Sequence, residues 1–202
     1  MLISYKHNFV FFSLPKTGTT FLEADLTPHC DIIMTNPPRI KHTNVRRYQR
    51  FLEPFLNSNL DKIGVIREPI DWLFSWYKYL SRDALANPSH PSHFRYSGSV
   101  KFEEFAKDYL LPKKERQPYS EPLGSPSKFY YTDKEEVEMD YLFKYEEMHK
   151  VIHFFETRIG TTIDFVSRNA SPKRKFQLSD DTREELIEFL KDDYMVYNNL
   201  TR

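Results

Sequence analysis

The chain has 202 residues, a length typical of one domain, and its 29 basic and 29 acidic residues give a formal net charge of zero. This balance argues against a global basic surface for nucleic acid or anionic membrane, so any anion must be bound by a local cluster. The single cysteine, Cys30, excludes an intramolecular disulfide and is typical of a reducing compartment. Because the sequence has neither a membrane-spanning apolar run nor a signal-peptide pattern, we expect a cytoplasmic protein without nucleic-acid or membrane partners.

The first eighty residues alternate short apolar runs with helical patterns. Residues 9–14 are apolar and aromatic, as in a buried strand, and a Pro-Lys-Thr-Gly turn separates them from a helix at 19–26. Further strands are predicted at 31–34 and 62–66, and further helices at 44–56 and 69–82. This alternation predicts an α/β fold with a parallel β-sheet flanked by helices.

The rest of the chain is less regular. Residues 83–125 are rich in Pro, Ser and His, and we expect them to form a lid-like irregular insertion around a helix at 102–111. Beyond it, the patterns predict a strand at 139–144, a helix at 145–159 that Gly160 ends, and a last helix that Ser179 caps. With no internal repeat and no long linker, the whole chain is predicted to be a single domain over residues 1–202.

An anion-binding turn is predicted between the first strand and the first helix. Backbone N–H groups of consecutive residues there, in front of a helix N-terminus, form a cradle for a phosphate group. Gly18 allows close approach of the backbone, and Lys16 adds a positive charge. Thr17, Thr19 and Thr20 add hydroxyl donors. The order of residues differs from the Walker pattern of P-loop proteins, since the lysine precedes the glycine.

A second phosphate site is predicted at the end of the strand at 62–66. Arg67 ends this strand, and Ser75 lies two turns into the next helix on its polar face. The carboxyl ends of parallel strands lie at the same edge of a sheet, where ligands of open α/β sheets bind. Arg67 and Ser75 are therefore placed to hold a second phosphate at some distance from the first, unless Arg67 pairs with Glu68 or Asp71 instead.

The two motifs together resemble those of the PAPS-dependent sulfotransferase family. The run from Phe12 to Phe21, Phe-Ser-Leu-Pro-Lys-Thr-Gly-Thr-Thr-Phe, is similar to the 5′-phosphosulfate loop of these enzymes. The run from Val65 to Tyr77, Val-Ile-Arg-Glu-Pro-Ile-Asp-Trp-Leu-Phe-Ser-Trp-Tyr, is similar to their 3′-phosphate motif. The resemblance is closest to small bacterial and glycan-modifying members, fades after residue 126 and is absent at 83–125.

The resemblance implies a P-loop-like phosphosulfate-binding loop and roles for single residues. Lys16 would contact the oxygen that bridges phosphorus and sulfur in PAPS, the co-substrate, and stabilise the charge that develops there when PAP leaves. The cofactor-binding residues it implies are Lys16, Thr17, Gly18, Thr19 and Thr20 for the 5′-phosphate, Arg67 and Ser75 for the 3′-phosphate, and Ser171, Lys173 and Arg174 in a loop over the nucleotide. The basic run at 173–175 is equally compatible with a solvated turn. This chemistry requires no metal.

The resemblance leaves two candidates for the general base that deprotonates the acceptor. His42 follows the second predicted strand, and in glycan 2-O-sulfotransferases a histidine occupies a similar place between the two phosphate motifs. Histidine has an ordinary pKa near 6.5, which suits a base at neutral pH. We favour His42, and we expect its neighbours Lys41, Arg46 and Arg47 to lower its pKa. Glu23 is the alternative, because N- and 3-O-sulfotransferases place a glutamate near there.

Other functions stay open at this point. A P-loop kinase or NTPase is disfavoured by the missing Walker glycine, and a PAP-binding protein without turnover is the remaining alternative. The acceptor is expected to be a small molecule or a carbohydrate. Basic residues near His42, which are Lys41, Arg46, Arg47 and Arg50, either receive an anionic glycan or form a solvated helix face. The pairs His90/His93 and His149/His153 have the spacing of metal ligands, but no further ligand completes either one, so we expect no metal site.

Overall fold

The computed structural model describes residues 1–56, 59–164 and 175–200. These residues form two compact units. The first unit contains the described residues of 1–68, 126–168 and 195–202, and the second those of 69–125 and 169–194. In the described part of the chain, no helix is both long and apolar enough to cross a membrane.

The first unit is built on a β-sheet that has five strands in the described residues. The strands are β1 (Leu2–Ser4), β2 (Phe9–Phe12), β3 (Ile32–Ile33), β4 (Asp61–Ile66) and β5 (Tyr141–Lys144). Their order across the sheet is β3-β1-β2-β4-β5. β4 is parallel to both of its neighbours, with Phe11 opposite Ile63 and Val65 opposite Phe143. The carboxyl ends of these three strands therefore lie at one edge of the sheet.

The prediction of a parallel sheet is wrong for the other edge. β1 runs antiparallel to both β2 and β3, so the sheet is mixed. The cause is a hairpin at residues 5–8 that returns the chain directly from β1 into β2, since such a short connection permits only antiparallel pairing. The turn contains no glycine, and Asn8 instead takes the left-handed conformation, with φ of 53°. Without a glycine signal, neither β1 nor the hairpin is predicted from the sequence.

Helices occupy both units. They are α1 (Thr20–Leu26), α2 (Pro38–Lys41), α3 (Val45–Phe51), α4 (Glu53–Leu56), α5 (Pro69–Leu80), α6 (Phe102–Leu110), α7 (Met148–Ile159), α8 (Asp180–Phe189) and α9 (Lys191–Asn198). The predicted stop at Gly160 is confirmed, because this residue ends α7 in the left-handed conformation that glycine adopts without strain. The predicted cap at Ser179 is confirmed too, since its side chain accepts a hydrogen bond from the Thr182 N–H.

Alternating side chains of the strands enter two separate cores of the first unit. Phe9 and Phe11 pack with Leu22 of α1 and Phe155 of α7. Val10 and Phe12, which point the other way, pack with Tyr48 of α3 and with other apolar residues. Burial on both sides explains why the strand at 9–12 is a continuous apolar run. The predicted α/β fold with helices that flank the sheet is confirmed.

The second unit is helical where it is regular. Its core joins Leu73 and Phe74 of α5, Phe105 of α6 and Leu186 of α8. The Tyr77 hydroxyl of α5 donates a hydrogen bond of 3.0 Å to the carbonyl of Val100, in the segment that precedes α6. The segment at 83–101 contains two short 3₁₀ turns and otherwise irregular backbone.

Candidate functional site

The turn that follows β2 has an unusual backbone. Lys16 and Gly18 both have positive φ, 71° and 66°, and Thr17 lies fully buried between them. The Thr17 hydroxyl donates a hydrogen bond of 2.7 Å to the Leu14 carbonyl and so closes the turn on itself. This hydroxyl is used within the turn, so an anion there would meet the backbone N–H groups and the Lys16 side chain.

Gly18 is required at its position for two reasons. Its left-handed backbone disfavours any residue with a Cβ atom, and a Cβ built there would lie 2.9 Å from Cε2 of Tyr145. Tyr145 directly follows β5, at the same edge of the sheet. The Tyr145 ring therefore packs against the turn more closely than a Cβ atom at position 18 would allow without a shift of the ring.

Arg67 joins these two segments at the end of β4. Its Nη1 atom donates a hydrogen bond of 3.1 Å to the Lys16 carbonyl, across 51 residues of sequence. Its guanidinium carbon lies 4.3 Å from the centroid of the Tyr145 ring. The arginine is buried, with 9% of its surface exposed. Residues that follow three adjacent parallel strands thus meet at one place, as expected of a ligand site in an α/β sheet.

The two threonines at the start of α1 differ in exposure. Thr19 is buried and its side chain does not cap the helix, whereas Thr20 is exposed on the first helical residue. The Thr19 carbonyl accepts a hydrogen bond from the Glu23 N–H, which begins the helical ladder. The turn at Lys16 therefore leads directly into α1, and the two threonines lie at the start of this helix, as the sequence predicts.

His42 lies at the carboxyl end of β2, next to the same turn. Its Nδ1 atom is 2.7 Å from the carbonyl of Ser13, which directly follows β2. A carbonyl only accepts hydrogen bonds, so in the neutral ring Nδ1 carries the proton and Nε2 carries the lone pair. Nε2 has no hydrogen-bond partner among the residues that the structure describes. This arrangement leaves the basic nitrogen of His42 available to accept a proton.

The environment of His42 favours its neutral form. Burial lowers its pKa below 6.5, the positive charge of Lys41 lowers it further, and the hydrogen bond to Ser13 and the charge of Glu23 oppose them. The direction agrees with the expectation from the sequence, but the main cause is burial. Arg46, which the sequence suggests as a contributor, instead donates to the Thr132 carbonyl at 2.9 Å and contacts Asp133 at 3.2 Å.

Glu23 is held in a different way. One carboxylate oxygen, Oε2, forms an ion pair of 2.6 Å with Lys41, and only 5% of the residue is exposed. The other oxygen, Oε1, is buried without a hydrogen-bond partner in the described residues, as is the Ser13 hydroxyl. Buried polar atoms are nearly always satisfied, so each of these two atoms keeps hydrogen-bonding capacity that the described residues do not use.

Several predicted residues lie in the second unit, outside the described residues, or in contact with acidic side chains. Ser75 is buried on α5, which belongs to the second unit, so its predicted role in the 3′-phosphate site stays a prediction. Ser171, Lys173 and Arg174 lie outside the residues that the structure describes. Arg50 forms a bidentate contact with Asp133, and Lys41 is paired with Glu23, so these two cations already have anionic partners.

Two participants were not predicted from the sequence. The sequence pattern puts Tyr145 in a helix, although its position just after a predicted strand indicates the carboxyl edge of the sheet. The pattern shows Ser13 only as part of an apolar run. Ser13 contributes its backbone carbonyl, a group that every residue has, so the residue type does not indicate this role.

Among the described residues, no group of three or more His, Cys, Asp or Glu side chains is arranged to hold a metal ion. Comparison with models of known protein families finds no family that matches the chain, and comparison with curated proteins finds no match.

Proposed function

We propose that the protein transfers a sulfuryl group from PAPS to a hydroxyl or amine of an acceptor. The observation that carries this proposal is the convergence of the Lys16 turn, Arg67 and His42 at the carboxyl ends of parallel strands. A cationic turn next to a buried arginine suits a ligand with phosphate groups, and a neutral histidine beside them suits removal of a proton from an acceptor.

The turn supplies the part of the site that binds the donor. Residues 17–20 provide backbone N–H groups at the start of α1, in a turn where Lys16 and Gly18 have the left-handed backbone conformation. Lys16 provides the charge that stabilises the leaving phosphate as the bond between sulfur and its bridging oxygen breaks. Arg67, held against Lys16 and Tyr145, provides a guanidinium for a further phosphate group of the same nucleotide.

His42 is the stronger candidate for the base. As the acceptor oxygen or nitrogen forms its bond to sulfur, its proton goes to Nε2 of His42, while Nδ1–H stays bound to the Ser13 carbonyl and fixes the ring. The product is then the sulfated acceptor, with PAP as the leaving group. Glu23 is a weaker candidate because its carboxylate is buried and paired with Lys41.

A binding experiment separates this function from a kinase or NTPase. We expect PAP to raise the melting temperature in the absence of metal, whereas ATP with Mg²⁺ leaves it unchanged. We also expect Arg67→Ala to weaken PAP much more than adenosine 5′-phosphosulfate, which lacks the 3′-phosphate. An equal loss for both nucleotides would assign Arg67 a structural role only.

Turnover then separates the enzyme from a protein that only binds nucleotide. Labelled PAPS, incubated with a panel of carbohydrates and phenols, should transfer label to one class of acceptor. Tight PAP binding without transfer to any acceptor would favour the binding protein. The cytoplasmic location and the carbohydrate nature of the acceptor stay predictions in this proposal.

A further inference from the structure

The second unit carries an open cleft of about 830 Å³ that the proposed function does not use. One wall is the start of α6, and the other is the segment 175–179 together with the first turn of α8. A space of this size accommodates a ligand as large as a nucleotide or a small oligosaccharide.

The cleft is lined by cations without an acidic partner in the described part of the chain. Lys101, Lys175 and Arg183 all line it, and none of them forms an ion pair with another described residue. Lys107, one turn further along α6, is different because it pairs with Glu103 at 2.9 Å. Exposed cations that share a concave surface raise the local concentration of anions, because their fields add and the low-dielectric walls focus them.

The acidic residue in the lining does not neutralise these cations. Both oxygens of Glu103 are occupied by hydrogen bonds from the Ser179 N–H and hydroxyl, at 3.0 and 2.9 Å, and one also by the Thr182 hydroxyl at 2.7 Å. These bonds lower the pKa of Glu103 to about 2, so it stays ionised and bound to the start of α8. Glu103 therefore fixes one wall of the cleft to the other and prearranges the site.

Aromatic rings form the floor. Phe176 packs edge to face on Phe74, with ring centroids 5.0 Å apart, and is tilted against Phe102 at 5.3 Å. Phe176 keeps 41% of its surface exposed, and the Arg183 guanidinium lies 5.4 Å from its ring centroid. An exposed ring with a cation above it offers both a stacking face and a charge, a combination that suits a ring-bearing anion.

We propose that this cleft binds a ring-bearing polyanion, a compound with two or more sulfate or phosphate ester groups. Lys101 on one wall and Lys175 with Arg183 on the other would each bind an ester group, and Phe176 would pack against the ring between them. Sulfated carbohydrates and nucleotide bisphosphates share this chemistry. The inference concerns the second unit alone and requires no turnover.

The test is titration calorimetry at low ionic strength on the full chain. The probes are a heparin-derived tetrasaccharide, its desulfated counterpart and PAP. We expect Lys101→Gln/Arg183→Gln to weaken binding of a sulfated or phosphorylated probe by about tenfold or more, which corresponds to about 1.4 kcal/mol. Binding should also weaken as salt is added. If the double variant weakens binding of the tetrasaccharide, the ligand is a sulfated carbohydrate; if it weakens binding of PAP, the ligand is a nucleotide bisphosphate.

The matched control is Lys113→Gln/Lys114→Gln, which removes two exposed lysines of the same unit that do not line the cleft. Unchanged melting temperatures establish that both double variants fold. Equal weakening in the two variants, or no binding by either anionic probe, would overturn the inference. Because Arg67→Ala tests the nucleotide site of the first unit and these variants test the cleft, the two proposals can fail separately.

Discussion

Two glutamates at helix junctions, Glu23 in the first unit and Glu103 in the second, are bound in contrasting ways. Glu103 uses both oxygens to join α6 to the start of α8. Glu23 uses one oxygen for Lys41 and leaves the other buried without a partner in the described structure. An unsatisfied buried oxygen keeps the capacity to accept a further hydrogen bond, whereas a saturated carboxylate indicates a structural joint.

The difference extends to the neighbours of each carboxylate. In the first unit, the Ser13 hydroxyl has no partner among the described residues, and neither does Nε2 of His42, which senses the charge of Glu23. Beside Glu103, Thr182 and Ser179 each use their hydroxyls within the junction. We therefore expect substitutions near Glu23 to change activity more than stability, and substitutions of Glu103 to do the reverse.

The largest effect is expected for His42→Ala. Loss of a general base reduces turnover by about 10²–10⁴-fold. Because burial lowers the pKa of His42, the acid limb of the pH–rate profile should lie below about pH 6.5 in the wild type and flatten in the variant. PAP affinity should barely change, because a general base acts on the acceptor and not on the nucleotide. The measurement is turnover of labelled PAPS between pH 5 and 8.

Two controls sharpen this result. His7 also has its Nδ1 atom against a carbonyl, that of Arg158 at 3.0 Å, so His7→Ala removes a similar ring and should leave the rate unchanged. Glu23→Gln keeps the size of the side chain and removes its charge. If Glu23→Gln abolishes transfer and His42→Ala retains it, the base is the glutamate.

Lys16→Met should have the next largest effect. It keeps much of the side-chain stem and removes the charge. One charge that stabilises a transition state is worth about 3 kcal/mol, so we expect a loss of about 10²-fold in rate. The melting temperature should change little, because an exchange of one unbranched side chain for another leaves the left-handed backbone of the turn equally strained. Lys6→Met, in the exposed β1–β2 turn, is the matched control. Near-normal transfer by Lys16→Met would exclude Lys16 from the chemistry.

The sequence was most informative where local chemistry decides the structure. The strands predicted at 9–14 and 62–66 form at Phe9–Phe12 and Asp61–Ile66, and the predicted cap at Ser179 and stop at Gly160 are confirmed, since all of them follow from short-range rules. The helix predicted at 44–56 is instead divided between α3 and α4 at Leu52, because Pro54 lacks the N–H group that a continuous helix would need.

The parts that could not be predicted depend on contacts distant in sequence. Periodicity locates Arg67 at a strand end, but it does not show that Arg67 contacts the Lys16 carbonyl and the Tyr145 ring. The same holds for Arg50, whose partner Asp133 lies 83 residues away and makes an anionic ligand unnecessary. A sequence shows which residues are charged, but the fold determines which residues become their partners.

The smallest expected effect is that of Glu103→Ala, which we expect to lower the stability of the fold. Hydrogen bonds to a charged group contribute about 1.5–3 kcal/mol, so we expect a loss of about 2 kcal/mol in the free energy of unfolding at pH 7. The pKa of Glu103 is lowered to about 2 in the folded chain, from an unfolded value near 4.5. Its stabilisation is thus complete above pH 4.5 and is lost as the pH falls toward 2.

Urea unfolding of Glu103→Ala and wild type at pH 7, 5 and 3.5 measures this dependence. The difference in free energy of unfolding between wild type and variant should be nearly constant from pH 7 to 5 and smaller at pH 3.5. At the lower pH, protonation of Glu103 weakens its charge-assisted hydrogen bonds in the wild type, and the variant lacks these bonds at every pH. Glu184→Ala, on the exposed side of α8, should show little difference at any pH. If the difference in free energy of unfolding stays the same down to pH 3.5, Glu103 contributes through packing. Charge would then not explain the contrast between Glu103 and Glu23.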